Sequence, residues 1–260
     1  MHSFDVRALD GVRLDASMHT ADTSRARGTV VQAHGITVDK DEGGMFVRLA
    51  ERLAKAGFTV IRFSFRGHGK SDGAPEGVTI AGEMLDLQAV VKHAMEVAPG
   101  PLAVIAASFG AVPTALLLPT LEMQLHRLVL WNPVLDLDHT FLHPELPWGT
   151  KNFGPGPQRQ LHEQGRLLID DEFPIGQVLW QELARYDPLK EFSRSQVPAL
   201  VIHGDHDSYV SYDIARAAAE ERNHTEFRTI EGSDHGFDSR DREDEAIGHT
   251  LTWLTAGDAA

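Results

Sequence analysis

The chain has 260 residues, a formal net charge of −14, 42% hydrophobic and 24% charged residues, and no cysteine. That length allows one α/β domain with a full core, and the composition is that of an ordinary globular protein. The missing thiols exclude a disulfide scaffold, a cysteine nucleophile and cysteine-ligated metal, while the acidic balance argues against nucleic acid or an anionic membrane surface as partner.

In chain order, residues 4–9 and 12–18 alternate in polarity around Asp10-Gly11. This is a hairpin signal and predicts two antiparallel edge strands. An exposed edge there leaves open pairing with a second copy of the chain. Residues 29–33 read as a buried strand. Residues 45–56 carry Phe46, Leu49 and Leu53 at helical spacing, with Gly57 as the stop. Phe58–Phe63 is the next strand, 64–78 a Gly-rich polar loop, and 79–97 a long helix ended by Pro99-Gly100. A strand over 102–106 runs into Ser108, a helix follows, and residues 128–131 form another strand.

The strand–helix rhythm then breaks. Residues 135–190 are rich in Pro, Gly, His and aromatics, and the alternation resumes only at Ala199. A structureless loop of that length is improbable in a compact domain. We read 135–190 as a cap or lid inserted into a core made of 1–134 and 191–260, with Trp148, Phe153 and Trp180 as candidate walls of a substrate pocket. Residues 213–223 read as a helix, Thr225–Ile230 as the last strand and 243–254 as the final helix. No segment approaches the length of a membrane span and no apolar leader is visible at Met1, so a cytoplasmic location is expected.

Val104-Ile105-Ala106-Ala107-Ser108-Phe109-Gly110-Ala111 is the most informative stretch. An apolar run ends abruptly at a serine with small residues two positions to either side. A tight strand-to-helix turn needs that pattern, because a bulky neighbour would collide in it. Two later segments also end β-like apolar runs in polar loops. They are Val201-Ile202-His203-Gly204-Asp205-His206-Asp207 and Ile230-Glu231-Gly232-Ser233-Asp234-His235-Gly236-Phe237. In a parallel sheet such loops meet at the carboxyl ends of the strands. Ser108 as nucleophile, His235 as base and a carboxylate from Asp205 or Asp207 would then share one site. The Phe109 N–H, opening a helix, is suited to stabilise an oxyanion. Asp136, Asp138, His139 and His143 match no standard metal-ligand spacing, and no cofactor is expected.

The order nucleophile, acid, histidine resembles that of the α/β-hydrolases. So do Gln32-Ala33-His34-Gly35-Ile36 and Phe63-Ser64-Phe65-Arg66-Gly67-His68-Gly69-Lys70-Ser71. Within that superfamily the chain is similar to small serine esterases of the cinnamoyl/feruloyl-esterase and serine-aminopeptidase-like group. The resemblance spans about residues 28–240. It implies a mostly parallel eight-stranded sheet flanked by helices. It picks Asp207 as the acid, with Asp205 left to stabilise the loop, and Ile36 N–H as the second oxyanion donor. It also makes the Arg66–Ser71 segment structural, while His34, which could be a ligand or a base, reads as a brace for the oxyanion loop. The activity it implies is cleavage of a small-molecule carboxylic ester through an acyl-enzyme. Amide, lactone or thioester hydrolysis, acyl transfer, and a non-catalytic ligand-binding role are the alternatives.

Overall fold

The computed structural model describes residues 1–22, 26–98 and 100–256; Pro99, half of the expected stop after the long helix, lies outside them. Eight strands form one sheet. They are β1 (His2–Arg7), β2 (Arg13–His19), β3 (Gly28–Ala33), β4 (Phe58–Phe63), β5 (Leu102–Ala107), β6 (Leu125–Trp131), β9 (Ala199–Gly204) and β10 (Thr225–Ile230). Their spatial order is β1-β2-β4-β3-β5-β6-β9-β10. Only the β1–β2 and β2–β4 pairs are antiparallel. Strands β3, β4, β5 and β9 are buried along their whole length. That is why they read as mostly apolar runs rather than alternating ones: helices cover both faces of a parallel sheet.

From β3 the chain steps outward to β4, then returns to place β5 on the other side of β3. The loops leaving β3 and β5 therefore part in opposite directions. They open a crevice at the carboxyl edge of the sheet, where this topology places ligand sites.

Helices α1 (Met45–Lys55), α2 (Ile80–Val97), α3 (Ala111–Leu121), α8 (Tyr212–Glu220) and α9 (Arg240–Thr255) flank the sheet. Local chemistry sets their ends. Thr79, Ser211 and Ser239 cap α2, α8 and α9 by accepting the N–H of Gly82, Ile214 and Arg242. The Ser239 cap starts α9 at Arg240, three residues before the apolar periodicity becomes visible. Strand β6 likewise starts before the expected residue 128, because its opening residues His126 and Arg127 are not fully buried and break the apolar signal. The first hairpin turns more widely than a two-residue loop, with Gly11 (φ +90°) bonding back to Ala8.

Between β6 and β9 lie α4 (Pro147–Phe153), α5 (Pro155–Gln164), the small hairpin β7 (Arg166–Ile169) and β8 (Phe173–Gly176), α6 (Gln177–Leu183) and α7 (Pro188–Arg194). Phe141, Phe153, Leu161, Leu167, Ile169, Ile175, Leu179 and Leu183 of this segment share one apolar cluster with Ile36, Phe109, Val134 and Val210 of the crevice loops. Among the described residues no helix is long and apolar enough to cross a membrane.

Glu83, in the first turns of α2, is 1% exposed and its Oε2 has no hydrogen-bond partner. Burial, reinforced by nearby Asp86, pushes its carboxyl well above the usual range. An acid whose folded pKa is raised loses stability as pH climbs past its unfolded value near 4.5. Glu83→Met, similar in shape and without the charge, is expected to stabilise the fold by about 1–2 kcal/mol. Thermal melts should show a larger gain at pH 8 than at pH 5; a lower Tm at pH 8 would contradict this account.

Candidate active site

Ser108 follows β5 in a single 3₁₀ turn (Ser108–Gly110) that leads into α3. Its backbone is left-handed, at φ +51°, which non-glycine residues rarely adopt. The turn is held from outside: Val134 N–H donates to the Ser108 carbonyl at 3.1 Å. Two residues on, a Cβ at Gly110 would lie 2.5 Å from the His34 carbonyl oxygen and 2.6 Å from that of Ala33. That contact makes glycine obligatory at this place. Ala106, two residues before the serine, is an interior residue of β5 packed in the sheet core and keeps its methyl at no cost.

The three loops expected to meet do so. Ser108 Oγ lies 3.0 Å from His235 Nε2, and His235 Nδ1 lies 2.8 Å from Asp207 Oδ2. An ionised carboxylate only accepts, so Nδ1 carries the proton and Nε2 is left to accept from the serine hydroxyl. Asp207 is buried and accepts four hydrogen bonds. Oδ1 takes the N–H groups of Tyr209 and Val210, both at 2.8 Å, and Oδ2 takes His235 and, at 3.0 Å, Nε2–H of His203. Burial pushes this carboxyl up, but the imidazoles of His235 and His203 outweigh it and hold it well below the usual carboxylate range. For His235 burial pushes the other way, and the carboxylates of Asp207, Glu42 and Asp234 prevail, raising its pKa above 6.5.

Asp205 does not reach His235. Its Oδ1 accepts Gly232 N–H at 2.6 Å and ties the loop after β9 to the loop after β10. Asp234 reinforces the same junction, accepting from Ser208 N–H and Oγ and from His235 N–H.

Ile36 and Phe109 flank Ser108 in the wall of a cavity of about 220 Å³. Among the described residues, no hydrogen bond takes up either backbone N–H. His34 braces this loop as expected, with Nδ1 on the Gly35 carbonyl at 2.7 Å and Nε2 accepting Phe65 N–H at 2.9 Å. His68, from the Arg66–Ser71 segment, bonds the Ile36 carbonyl and stacks on Phe173.

Of the three aromatics named as pocket walls, Trp148 lines the cavity, together with Phe141, Tyr209 and Val210. Phe153 and Trp180 do not. Phe153 is fully buried behind Trp148, at 5.3 Å between rings, and Trp180 stacks on Phe153 at 6.3 Å. They stiffen the wall from behind. Trp148, Tyr209 and His235 form a stacked column with ring spacings of 4.8 and 4.7 Å.

Sequence reasoning missed Glu42, which also lines the cavity. It adopts φ +47°, and its Oε2 accepts Gly35 N–H at 2.9 Å. Burial pushes its carboxyl up to about 7, against the Gly35 N–H and nearby His235, which favour the anion. Nothing in the sequence marks it, since it reaches the site only through an unusual backbone turn. Larger surface clefts of about 680 and 750 Å³ lie elsewhere, lined by other residues, and include neither Ser108 nor His235.

The sheet order, with its crevice and serine turn, defines an α/β-hydrolase. Residues 24–171 match the family model for serine aminopeptidase, S33 (Hydrolase_4), and the chain belongs to that family. Among curated proteins no sequence match is found. Solved structures are similar in fold. Est1E from Butyrivibrio proteoclasticus with ferulic acid bound aligns at TM-score 0.81 and 20% identity, over 96% of this chain and 97% of that one. The Pyrococcus furiosus esterase PF2001 aligns at TM-score 0.74 and 22% identity, over 97% and 90%. Mouse alpha/beta hydrolase domain-containing protein 10 aligns at TM-score 0.77 and 16% identity, over 98% of each.

Proposed function

We propose that this chain is a serine esterase that cleaves small carboxylic esters through an acyl-enzyme on Ser108. The observation that carries the reading is the hydrogen-bonded relay Ser108–His235–Asp207 opening on an apolar cavity. His235 Nε2 takes the hydroxyl proton as Oγ attacks the ester carbonyl. The N–H groups of Ile36 and Phe109 stabilise the oxyanion. Asp207 holds the imidazole tautomer and balances the imidazolium, which forms against the face of Tyr209. His235 returns the proton to the departing alkoxide, and water repeats the sequence to free the acid. No cofactor takes part.

Residues 135–190 act as the cap in this reading, closing the cavity with Phe141 and Trp148. The aromatic wall suits a moderately apolar acyl or alcohol part, and ferulic acid bound to the similarly folded Est1E is in keeping with that. The family's description as a serine aminopeptidase favours amide cleavage as the second reading.

A fluorophosphonate or phenylmethylsulfonyl fluoride is expected to add one equivalent, mapped to Ser108 by peptide mass spectrometry. p-Nitrophenyl esters of increasing acyl length should turn over faster than matched anilides, with an optimum at short to medium chains. Adducts elsewhere, or anilides cleaved faster than esters, would refute the corresponding part of the reading.

A further inference from the structure

Apart from Ser108 and His235, the cavity is lined mainly by apolar and aromatic side chains, with Thr37, Tyr209 and Glu42 as the polar ones. Ile36, Val38, Phe109, Val134, Phe141 and Val210 give it aliphatic and aromatic walls, and among its lining residues Glu42 alone carries a carboxyl. One oxygen of that carboxyl is used, Oε2 accepting Gly35 N–H. Among the described residues no hydrogen bond is made by Oε1. A Cβ built at Gly35 would lie 3.5 Å from Oε1 and 3.7 Å from Ser108 Oγ. The nucleophile and the free carboxyl oxygen thus lie against the same face of Gly35, close enough for one small acyl group to touch both.

We propose that Glu42 is a specificity-determining residue, whose Oε1 accepts a hydrogen bond from a hydroxyl group on the second or third carbon of the acyl part of the substrate. This rests on the reading of Ser108 as nucleophile. An acyl group bonded to Oγ occupies the cavity that Gly35 and Glu42 also line, which puts such hydroxyls within reach of Oε1. An acyl chain without a donor would bury Oε1 unpaired, a cost a hydroxyl removes. Sites built to pair a polar group discriminate strongly against the analogue lacking it. A neutral donor fits better than an ammonium. His235 becomes a cation in the same cavity during the reaction, and a second positive charge there would repel it. Glu42 also does not need to be ionised to accept from a hydroxyl, because a protonated carboxyl keeps its carbonyl oxygen as an acceptor.

The test compares kcat/KM for ethyl butyrate, ethyl 2-hydroxybutyrate, ethyl 3-hydroxybutyrate and ethyl 3-aminobutyrate, in the wild type and in Glu42→Gln. Glutamine can still accept Gly35 N–H through its carbonyl oxygen, which leaves an NH₂ donor in place of Oε1. Active sites are titrated with the fluorophosphonate, and folding is checked by circular dichroism. In the wild type at least one hydroxy ester should exceed ethyl butyrate by about tenfold or more. In Glu42→Gln that ratio should fall by about tenfold, mainly through KM. Glu42→Leu, which has no acceptor at all, should lose the preference as well. A ratio near one in a fully labelled wild type, an unchanged ratio in both variants, or a preference for the amino ester would overturn the assignment of Glu42 while leaving Ser108 in place. Failure of Ser108 to label would overturn both.

Discussion

Ser108→Ala is expected to lower kcat on p-nitrophenyl butyrate by about 10⁴–10⁶-fold, with the circular dichroism spectrum unchanged. The size of the loss follows from how the site is built. His235 Nε2 points at Ser108 Oγ and at no other side chain among its hydrogen-bond partners. Alanine also leaves the left-handed turn in place, because the strain sits in the backbone and is braced by Val134 N–H. The variant therefore loses the attacking atom and little else. What activity persists would come from a cavity that still binds ester and offers the N–H groups of Ile36 and Phe109 to its carbonyl. A fall of less than tenfold would mean that another group attacks.

Asp207→Asn should cost about 10³–10⁴-fold in kcat, for a reason specific to this loop. The wild-type carboxylate accepts four donors: two backbone N–H groups on Oδ1 and two imidazole N–H groups on Oδ2. An amide must turn its NH₂ toward one of these pairs. Facing the imidazoles, it sets donor against donor, and the escape is for His235 to move its proton to Nε2, where it can no longer act as base. Facing the backbone, it breaks the loop that presents the side chain. The pH profile separates this from simple unfolding. His235 must be neutral to accept the serine proton, so kcat/KM in the wild type should rise with pH through a value above 6.5, the direction in which Asp207 and Glu42 drive it. With the carboxylate gone, the imidazolium loses its main support and the rise should move to lower pH. Wild-type and variant limbs that coincide would show that Asp207 does not set the charge of His235.

The linkage also reaches stability. Asp207 has a lowered pKa, so its contribution is present above the ordinary carboxylate range and disappears as pH falls through its folded value. His235 has a raised pKa, and its contribution is full in acid and fades as pH rises through the folded value.

What could be read from the sequence was whatever depends on strand order and on the ends of strands. Ser108, His235 and the loop containing Asp205 and Asp207 each follow an apolar run, and a parallel sheet has one carboxyl edge, so their meeting follows from topology. The choice between the two aspartates did not follow from the residues alone. They are two apart in one loop, and only its turn sends Asp205 to Gly232 and Asp207 to His235. His203 lies inside the same motif, yet its bond to Asp207 needs the chain to reverse within four residues, which no periodicity records. Glu42 depends on a positive φ at a residue type that rarely shows one. Among the aromatics, composition placed Phe141, Trp148, Phe153 and Trp180 in one segment. Which of them faces the cavity depends on how α4, α6 and the turn carrying Phe141 pack against one another, and a count of rings carries no information on that.

The close approaches that glycine permits have a consequence for anyone who would redesign this protein. Gly110 presses on the carbonyls after β3, and a Cβ at Gly204 would lie 2.3 Å from the Ser233 carbonyl oxygen. Strand ends from distant parts of the chain are thus keyed together at van der Waals range, leaving no room for even a methyl group. A mutational library spread over that edge would return mostly unfolded chains. Phe141 and Trp148 belong to the segment between β6 and β9, outside those contacts, and line the cavity beside Ser108. Changes of selectivity should be sought there rather than among the glycine contacts.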